Sequence, residues 1–172
     1  MHRPGIRGAI LWGACLLMLG GLQGCAHYST SGGMIGGIRS VAFPVAENET
    51  AEFGIGEQLS ERITDAFTRD GQLRVIDEES ADAVMYLRIQ KLDDLPFTYT
   101  AAEVTEQYRF RVYIDADLVR TADAEKLLEL ESLEGWGTYD ATLPDEEGRT
   151  VAVEGALDMV IEEVVDRTTS SW

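Results

Sequence analysis

The chain has 172 residues, of which 14 are basic and 31 acidic, and its formal net charge is −17. This length is enough for one domain with a hydrophobic core. The charge argues against a nucleic-acid partner, because affinity for nucleic acid comes mainly from cations that neutralise phosphates. The negative net charge also argues against broad contact with anionic lipid, because like charges repel each other.

The first 24 residues are typical of a cleavable signal peptide. Arg3 and Arg7 give a basic start, and residues 9–22 form an apolar run that is shorter than the roughly 20 residues of a membrane-spanning helix. The run ends at Leu22-Gln23-Gly24-Cys25, which resembles the lipobox of bacterial lipoproteins. That resemblance implies cleavage before Cys25, a diacylglycerol on its sulfur and an acyl chain on the new amino group. Several acyl chains hold a protein durably at a bilayer.

This processing predicts three segments, namely a signal peptide over 1–24, a lipidated flexible tether rich in Gly and Ser over 25–37, and one folded domain over 38–172. Cys15 leaves with the signal peptide and Cys25 carries lipid, so no free thiol remains for a disulfide or a metal. The residue after the lipidated cysteine is Ala26 and not aspartate. By resemblance to lipoprotein sorting, this favours the outer membrane.

Hydropathy periodicity predicts the elements of the domain in chain order. We expect a strand over 38–45, a helix over 54–70 that Gly71 ends, strands over 73–76, 83–91, 106–119 and 125–139, and a helix over 150–168. Residues 106–119 alternate apolar and polar side chains without interruption, as in a strand with one buried and one wet face. We predict a bulge near Gly135-Trp136-Gly137, because glycine within a strand often marks one.

These elements predict an α/β (α+β) fold, a two-layer sandwich in the order β-α-β-β-β-α. The first two strands flank a helix, so we expect them to be parallel and joined by a right-handed crossover. The sheet is then mixed and four- to five-stranded. Both helices must cover the same face, because the other face carries charge.

The sequence offers no catalytic or metal-binding motif. His27 is the one histidine left after cleavage, and it lies two residues from the lipid, so no Ser-His, Cys-His or histidine–metal site can form. Gly54-Ile55-Gly56 lacks the third glycine and the lysine of a phosphate-binding loop, and helix entry is the better interpretation. Asp115 and Asp117 could hold a cation but fit solvated carboxylates better. We therefore expect a protein that is not an enzyme, with no cofactor besides the lipid on Cys25.

Several segments together resemble one family. They are Ser31-Gly32-Gly33, the strand and Asn-x-Thr loop over 38–50, Gly71-Gln72-Leu73-Arg74-Val75, Ala81-Asp82-Ala83-Val84, Glu154-Gly155-Ala156 and Val164-Val165-Asp166-Arg167. In this order they are similar to the lipopolysaccharide-assembly lipoproteins of the LptE family, over nearly the whole mature chain. The family often has Cys-Gly-Tyr where this chain has the longer Cys25-Ala26-His27-Tyr28.

The resemblance implies a plug and assembly subunit inside the outer-membrane β-barrel that exports lipopolysaccharide to the cell surface. A tether of about a dozen residues would keep the domain within roughly 20 Å of the membrane, facing the periplasm or inside the barrel lumen. Lipopolysaccharide itself is a second candidate partner, because its phosphates call for Arg or Lys.

The candidate contact residues lie on the polar sheet face. They are Arg109, Arg111 and Tyr113 on one predicted strand and Arg88 on the strand before it. The three arginines could instead pair with neighbouring acids, and Tyr113, like Tyr86, could contact the barrel. The alternative function is a free-standing periplasmic lipoprotein that binds a small or cationic ligand in a concave acidic pocket.

Overall fold

The computed structural model describes residues 35–143 and 145–170. The predicted signal peptide, Cys25 and residues 26–34 of the predicted tether lie outside the described residues. Residues 35–37 of that tether form a 3-10 turn, Ile35–Gly37, and Ile35 packs against the core.

Six strands and two long helices follow this turn. They are β1 (Ser40–Ala42), β2 (Glu47–Asn48), α1 (Ile55–Asp70), β3 (Arg74–Val75), β4 (Ala83–Tyr99), β5 (Thr105–Arg120), β6 (Lys126–Asp140) and α2 (Asp145–Thr169). The sheet has the order β3-β1-β4-β5-β6, and β2 pairs separately with β4. The pairs β1–β3, β1–β4 and β2–β4 are parallel, whereas β4–β5 and β5–β6 are antiparallel.

The predicted fold class is therefore confirmed, with small differences in the elements. The sheet has six strands because the expected loop at 47–50 contains β2, which pairs with Arg88 and Ile89 of β4. β4 continues to Tyr99, well past the predicted end at 91. A register shift between Ile89 and Lys91 moves the alternation of buried and exposed side chains by one residue. A search for an unbroken period of two residues therefore ends the strand too early.

One hydrophobic cluster joins both helices to one face of the sheet. It contains Ile55, Leu59, Ile63 and Phe67 of α1, Val153, Ala156, Leu157, Val160 and Val164 of α2, and Met85, Leu87, Ile89, Phe110, Val112 and Ile114 of the sheet. The α1 residues recur every four positions and so form one helix face. Both helices thus cover the same face, as predicted. Neither of the two long helices, within the described residues, is long and apolar enough to cross a membrane.

Glycine has a different role in β6 from the one predicted. Gly135 and Gly137 pair regularly with Val112 and Phe110, so the bulge predicted near these residues does not include them, and the nearest irregularity of β6 lies between Leu130 and Leu133. A Cβ at Gly135 would lie 2.0 Å from the Ala156 carbonyl oxygen, and one at Gly137 would lie 2.2 Å from that of Ala152. The two glycines are therefore the places where α2 comes close to the sheet backbone. The register shifts of the β5–β6 pair fall elsewhere, between Ile114 and Ala116 and between Leu118 and Val119.

Candidate functional site

The outer face of the sheet, opposite the helices, carries the candidate residues. Phe110, Val112 and Ile114 of β5 are fully buried against the helices, so the alternating Arg109, Arg111 and Tyr113 point to the other side. The antiparallel register places Arg109 between Leu95 and Thr138, and Arg111 between Asp93 and Trp136.

Arg109 is held between two aromatic rings. Its guanidinium carbon lies 3.4 Å from the centroid of the Phe97 ring and 4.8 Å from that of Trp136. Its Nε is buried and has no hydrogen-bond partner, and among the described residues no carboxylate pairs with it. Stacking fixes the orientation of the guanidinium, while its charge stays available to an external anion.

The charges of the other two arginines on this face, Arg111 and Arg88, are balanced by nearby carboxylates. Arg111 contacts Asp93 at 3.6 Å and Glu134 at 4.0 Å. Arg88 contacts Glu47 at 3.1 Å and Asp115 at 3.9 Å, and the hydrogen bond to Glu47 raises the pKa of Arg88.

The structure brings Arg109, Arg111 and Tyr113 together and leaves Arg88 apart from them. Arg88 pairs with Asp115, which lies four residues beyond Arg111 on β5, roughly 13 Å along the strand. Between them, the Lys91 ammonium lies 5.6 Å from the centroid of the Tyr113 ring. The arginines of this face therefore do not form one basic cluster.

An apolar patch surrounds Arg109 and extends to the end of the β4–β5 hairpin. We call it the hairpin patch, and its apolar members are Leu95, Phe97, Tyr99, Val104 and Trp136, which are between 42% and 61% exposed. Sequence reasoning missed these residues, because it ended β4 at residue 91. The spacing of Leu95, Phe97 and Tyr99 at every second position is the signal that could have found them.

The hairpin patch lies far from the point where the chain enters the domain. Arg120 donates a hydrogen bond to the Gly36 carbonyl at 3.1 Å and pairs with Ala83 at the start of β4. The patch lies at the other end of that strand, near Tyr99. Sixteen residues of extended chain separate the two ends by roughly 50 Å. Gly36 and Tyr99 therefore lie near opposite ends of the long hairpin.

Two further features bear on the chemistry of the domain. A groove of about 660 Å³ runs between α1 and α2, and its lining includes Arg62, Asp158, Glu162 and Asp166. Within the part of the chain that the structure describes, no group of three or more His, Cys, Asp or Glu side chains could hold a metal ion.

The model of the LptE family, which is described as lipopolysaccharide-assembly, matches residues 38–168. The chain belongs to the LptE family. The match spans every strand and nearly all of α2, so the family assignment covers the domain that carries the outer face and the hairpin patch. A search of curated proteins finds no match to this sequence.

Two solved structures are similar to this LptE-family chain in fold. Protein XCC0632 from Xanthomonas campestris is 14% identical and superimposes with a TM-score of 0.56, covering 76% of this chain and 83% of that one. The hypothetical protein CT253 from Chlamydia trachomatis is 9% identical, with a TM-score of 0.51 and coverage of 74% and 94%. At these identities the likeness concerns the fold alone.

Proposed function

We propose that this LptE-family protein is a non-enzymatic plug and assembly subunit of the β-barrel that exports lipopolysaccharide. Acyl chains on Cys25 anchor it in the outer membrane, and the domain enters the barrel lumen from the periplasmic side. Membership of a lipopolysaccharide-assembly family supports the general role. The barrel partner, the outer-membrane location and the lipid on Cys25 are parts of the proposal.

The observation that carries the proposal is Arg109 between Phe97 and Trp136 on an otherwise acidic protein. A ligand that joins phosphate groups to acyl chains, as lipopolysaccharide does, needs a cation beside an apolar surface. The hairpin patch offers both, and its Arg109 lies eleven residues along β5 from Arg120, roughly 36 Å from the end of the hairpin where Arg120 contacts Gly36. Arg111 and Tyr113 lie beside Arg109 and add to the contact, whereas Arg88 contributes less because it lies apart from Arg109 and Glu47 binds it at hydrogen-bond distance.

Co-purification from native membranes tests the proposed partner. A tagged full-length chain should recover a large β-barrel, and depletion of the chain should leave that barrel misfolded. Intact-mass analysis of the same material should show a chain that begins at Cys25 and carries lipid. Recovery of the lipidated chain without any barrel would contradict the proposal.

Substitution on the outer face tests the ligand contact. Arg109→Ala should reduce photo-crosslinking of lipopolysaccharide to Tyr113 about tenfold, as expected for the loss of one charge-assisted contact. Arg88→Ala is the matched control and should change the yield less than twofold, since Arg88 is occupied by Glu47. Equal losses in the two variants would show that the arginines act only through net charge.

The alternative is a free-standing periplasmic lipoprotein that binds a small cationic ligand. The groove between α1 and α2 favours it, because four acids line it, Asp70, Asp158, Glu162 and Asp166, against two bases, Arg62 and Arg69. In this function the chain purifies alone and binds a polyamine such as spermidine, and Asp166→Asn weakens that binding. Titration of the purified chain with spermidine distinguishes the two functions.

A further inference from the structure

Phe53 is the most exposed large hydrophobic side chain of the described residues. It is 99% exposed, and the next, Val45, is 68% exposed. Phe53 lies in the short loop between β2 and α1. Single exposed apolar side chains are common on protein surfaces, so exposure alone does not indicate a function.

The loop that carries Phe53 is held by its own side chains. The Asn48 carboxamide oxygen accepts hydrogen bonds from the Thr50 amide at 2.9 Å and the Thr50 hydroxyl at 2.7 Å. The Asn48 amide group donates to the Glu52 carbonyl at 2.7 Å, and the Glu52 amide donates to the Thr50 hydroxyl at 3.2 Å. These are Asx and Ser/Thr turns, which fix loop backbone. They also give the Asn-x-Thr sequence a structural role.

An ion pair fastens the same loop to both layers of the domain. The Glu52 carboxylate accepts two hydrogen bonds from the guanidinium of Arg149 on α2, at 2.9 and 3.0 Å. Arg149 also donates to Asp94 of β4 at 2.8 Å. Glu52 directly precedes Phe53, so the backbone that presents the ring is fixed on its N-terminal side. On the other side Gly54 leads straight into α1.

An aromatic side chain on a fixed backbone suits a binding anchor. Only its two side-chain dihedrals have to be ordered when it enters a pocket, so more of its burial appears as affinity. Acids outnumber bases around the loop: Arg88 contacts Glu47 and Glu49, Arg149 contacts Glu52 and Asp94, and Glu57 lies in the first turn of α1. A complementary partner therefore has an apolar pocket with a basic rim.

We propose that Phe53 is a preformed anchor that inserts into an apolar, Arg- or Lys-rimmed pocket of the protein partner. This inference rests on the proposed function and identifies that partner as the export barrel. Phe53 is not a member of the hairpin patch, although Arg149 links its loop to Asp94, which precedes Leu95 of that patch. In this proposal the anchor binds the protein wall of the barrel and not its lipid cargo.

Three variants of the full-length lipoprotein test the anchor by co-purification with the barrel from native membranes. Phe53→Ala should lower the recovered barrel about tenfold, as for a hot-spot residue, and Phe53→Leu should restore most of it. Met159→Ala, a control at a side chain 40% exposed on α2, should leave recovery unchanged. The two Phe53 variants should keep the wild-type melting temperature, because the Phe53 side chain is almost fully exposed and packs against none of the described residues.

The outcomes separate this inference from the proposed function. Recovery of the barrel by the wild type and equally by Phe53→Ala overturns the anchor alone. Failure of the wild type to recover any barrel overturns the proposed function and the barrel as the anchor's partner. With Cys25→Ala in both chains to remove the lipid anchor, vesicle binding that Phe53→Ala abolishes, on phosphatidylethanolamine and phosphatidylglycerol, would overturn the protein pocket in favour of a lipid surface.

Discussion

At the scale of single residues, Arg149 joins three separate parts of the domain. It lies on α2, pairs with Glu52 before α1 and with Asp94 on β4, and its guanidinium carbon is 5.1 Å from the centroid of the Phe110 ring. The hydrogen bond to Glu52 is the main reason why the pKa of Arg149 is raised. Its side chain is 30% exposed, so water screens these contacts only in part.

Arg149→Met should lower the free energy of unfolding by about 1–2 kcal/mol, after discounting for partial exposure. The control is Arg167→Met, which removes an exposed pair with Glu163 on the same helix and should cost about 0.5 kcal/mol or less. Urea unfolding followed by circular dichroism measures both values. A smaller loss in Arg149→Met than in Arg167→Met would contradict the bridging role.

Asp82 makes the stability of the folded domain depend on pH. The backbone amide of Arg39 donates to its carboxylate at 2.8 Å, and this bond, followed by those with Ser40, lowers the pKa of Asp82. A lowered folded-state pKa means that the contribution to stability is present above the unfolded pKa of about 3.9 and is lost as the pH falls through the folded value.

Asp82→Asn should therefore be less stable than the wild type at pH 7, and the difference should shrink as the pH falls below about 4. Urea unfolding at a series of pH values measures this difference. A difference in unfolding free energy that stays constant down to pH 2 would mean that the charge of Asp82 does not contribute to stability.

At the scale of elements, the closest contact is between α2 and β6. Their backbones approach at Gly135 and Gly137, where a Cβ would meet the carbonyl oxygens of Ala156 and Ala152. Backbone atoms cannot move aside as the end of a side chain can, so the whole helix would have to shift. Gly155 of α2 differs, because a Cβ there would meet nothing within 4 Å.

Gly135→Ala should cost at least about 2 kcal/mol of unfolding free energy, through overpacking against α2. Gly155→Ala makes the same chemical change within a helix that has room for it, and should raise stability by up to about 1 kcal/mol. Thermal unfolding of the two variants side by side provides the comparison. If both variants lost stability alike, the close approach of α2 would not be the cause.

At the scale of the whole molecule, the two layers share one core. The main hydrophobic cluster includes residues of both helices and of the central strands, so neither layer can keep its apolar surface buried alone. The described domain should therefore unfold in a single cooperative transition.

Leu157→Ala tests this cooperativity, because Leu157 is fully buried on α2. The substitution should lower the free energy of unfolding by about 2–5 kcal/mol. Far-ultraviolet circular dichroism and tryptophan fluorescence should show the same shifted midpoint. Two separate midpoints would mean that the helices and the sheet unfold independently.

The sequence alone determined the features that depend on local periodicity. These are the α1 boundaries, the left-handed Gly71 cap with its backbone hydrogen bond to Phe67, the alternation of β5, and the outward direction of Arg109, Arg111 and Tyr113. In each of these the physical cause, a helix face or a strand pleat, repeats within a single element. The parallel β1–β3 pair and the family were predicted from the order of elements and of short motifs along the chain.

Only the tertiary structure decided which partners those outward side chains meet. The register shift in β4 brings Phe97 over Arg109, and β6 adds Trp136, while Glu47 and Asp93 engage the other two arginines. The same packing assigns Gly135 and Gly137 to the approach of α2. These contacts join residues that are distant in the sequence, and their register depends on how neighbouring strands and helices pack, which no local pattern records.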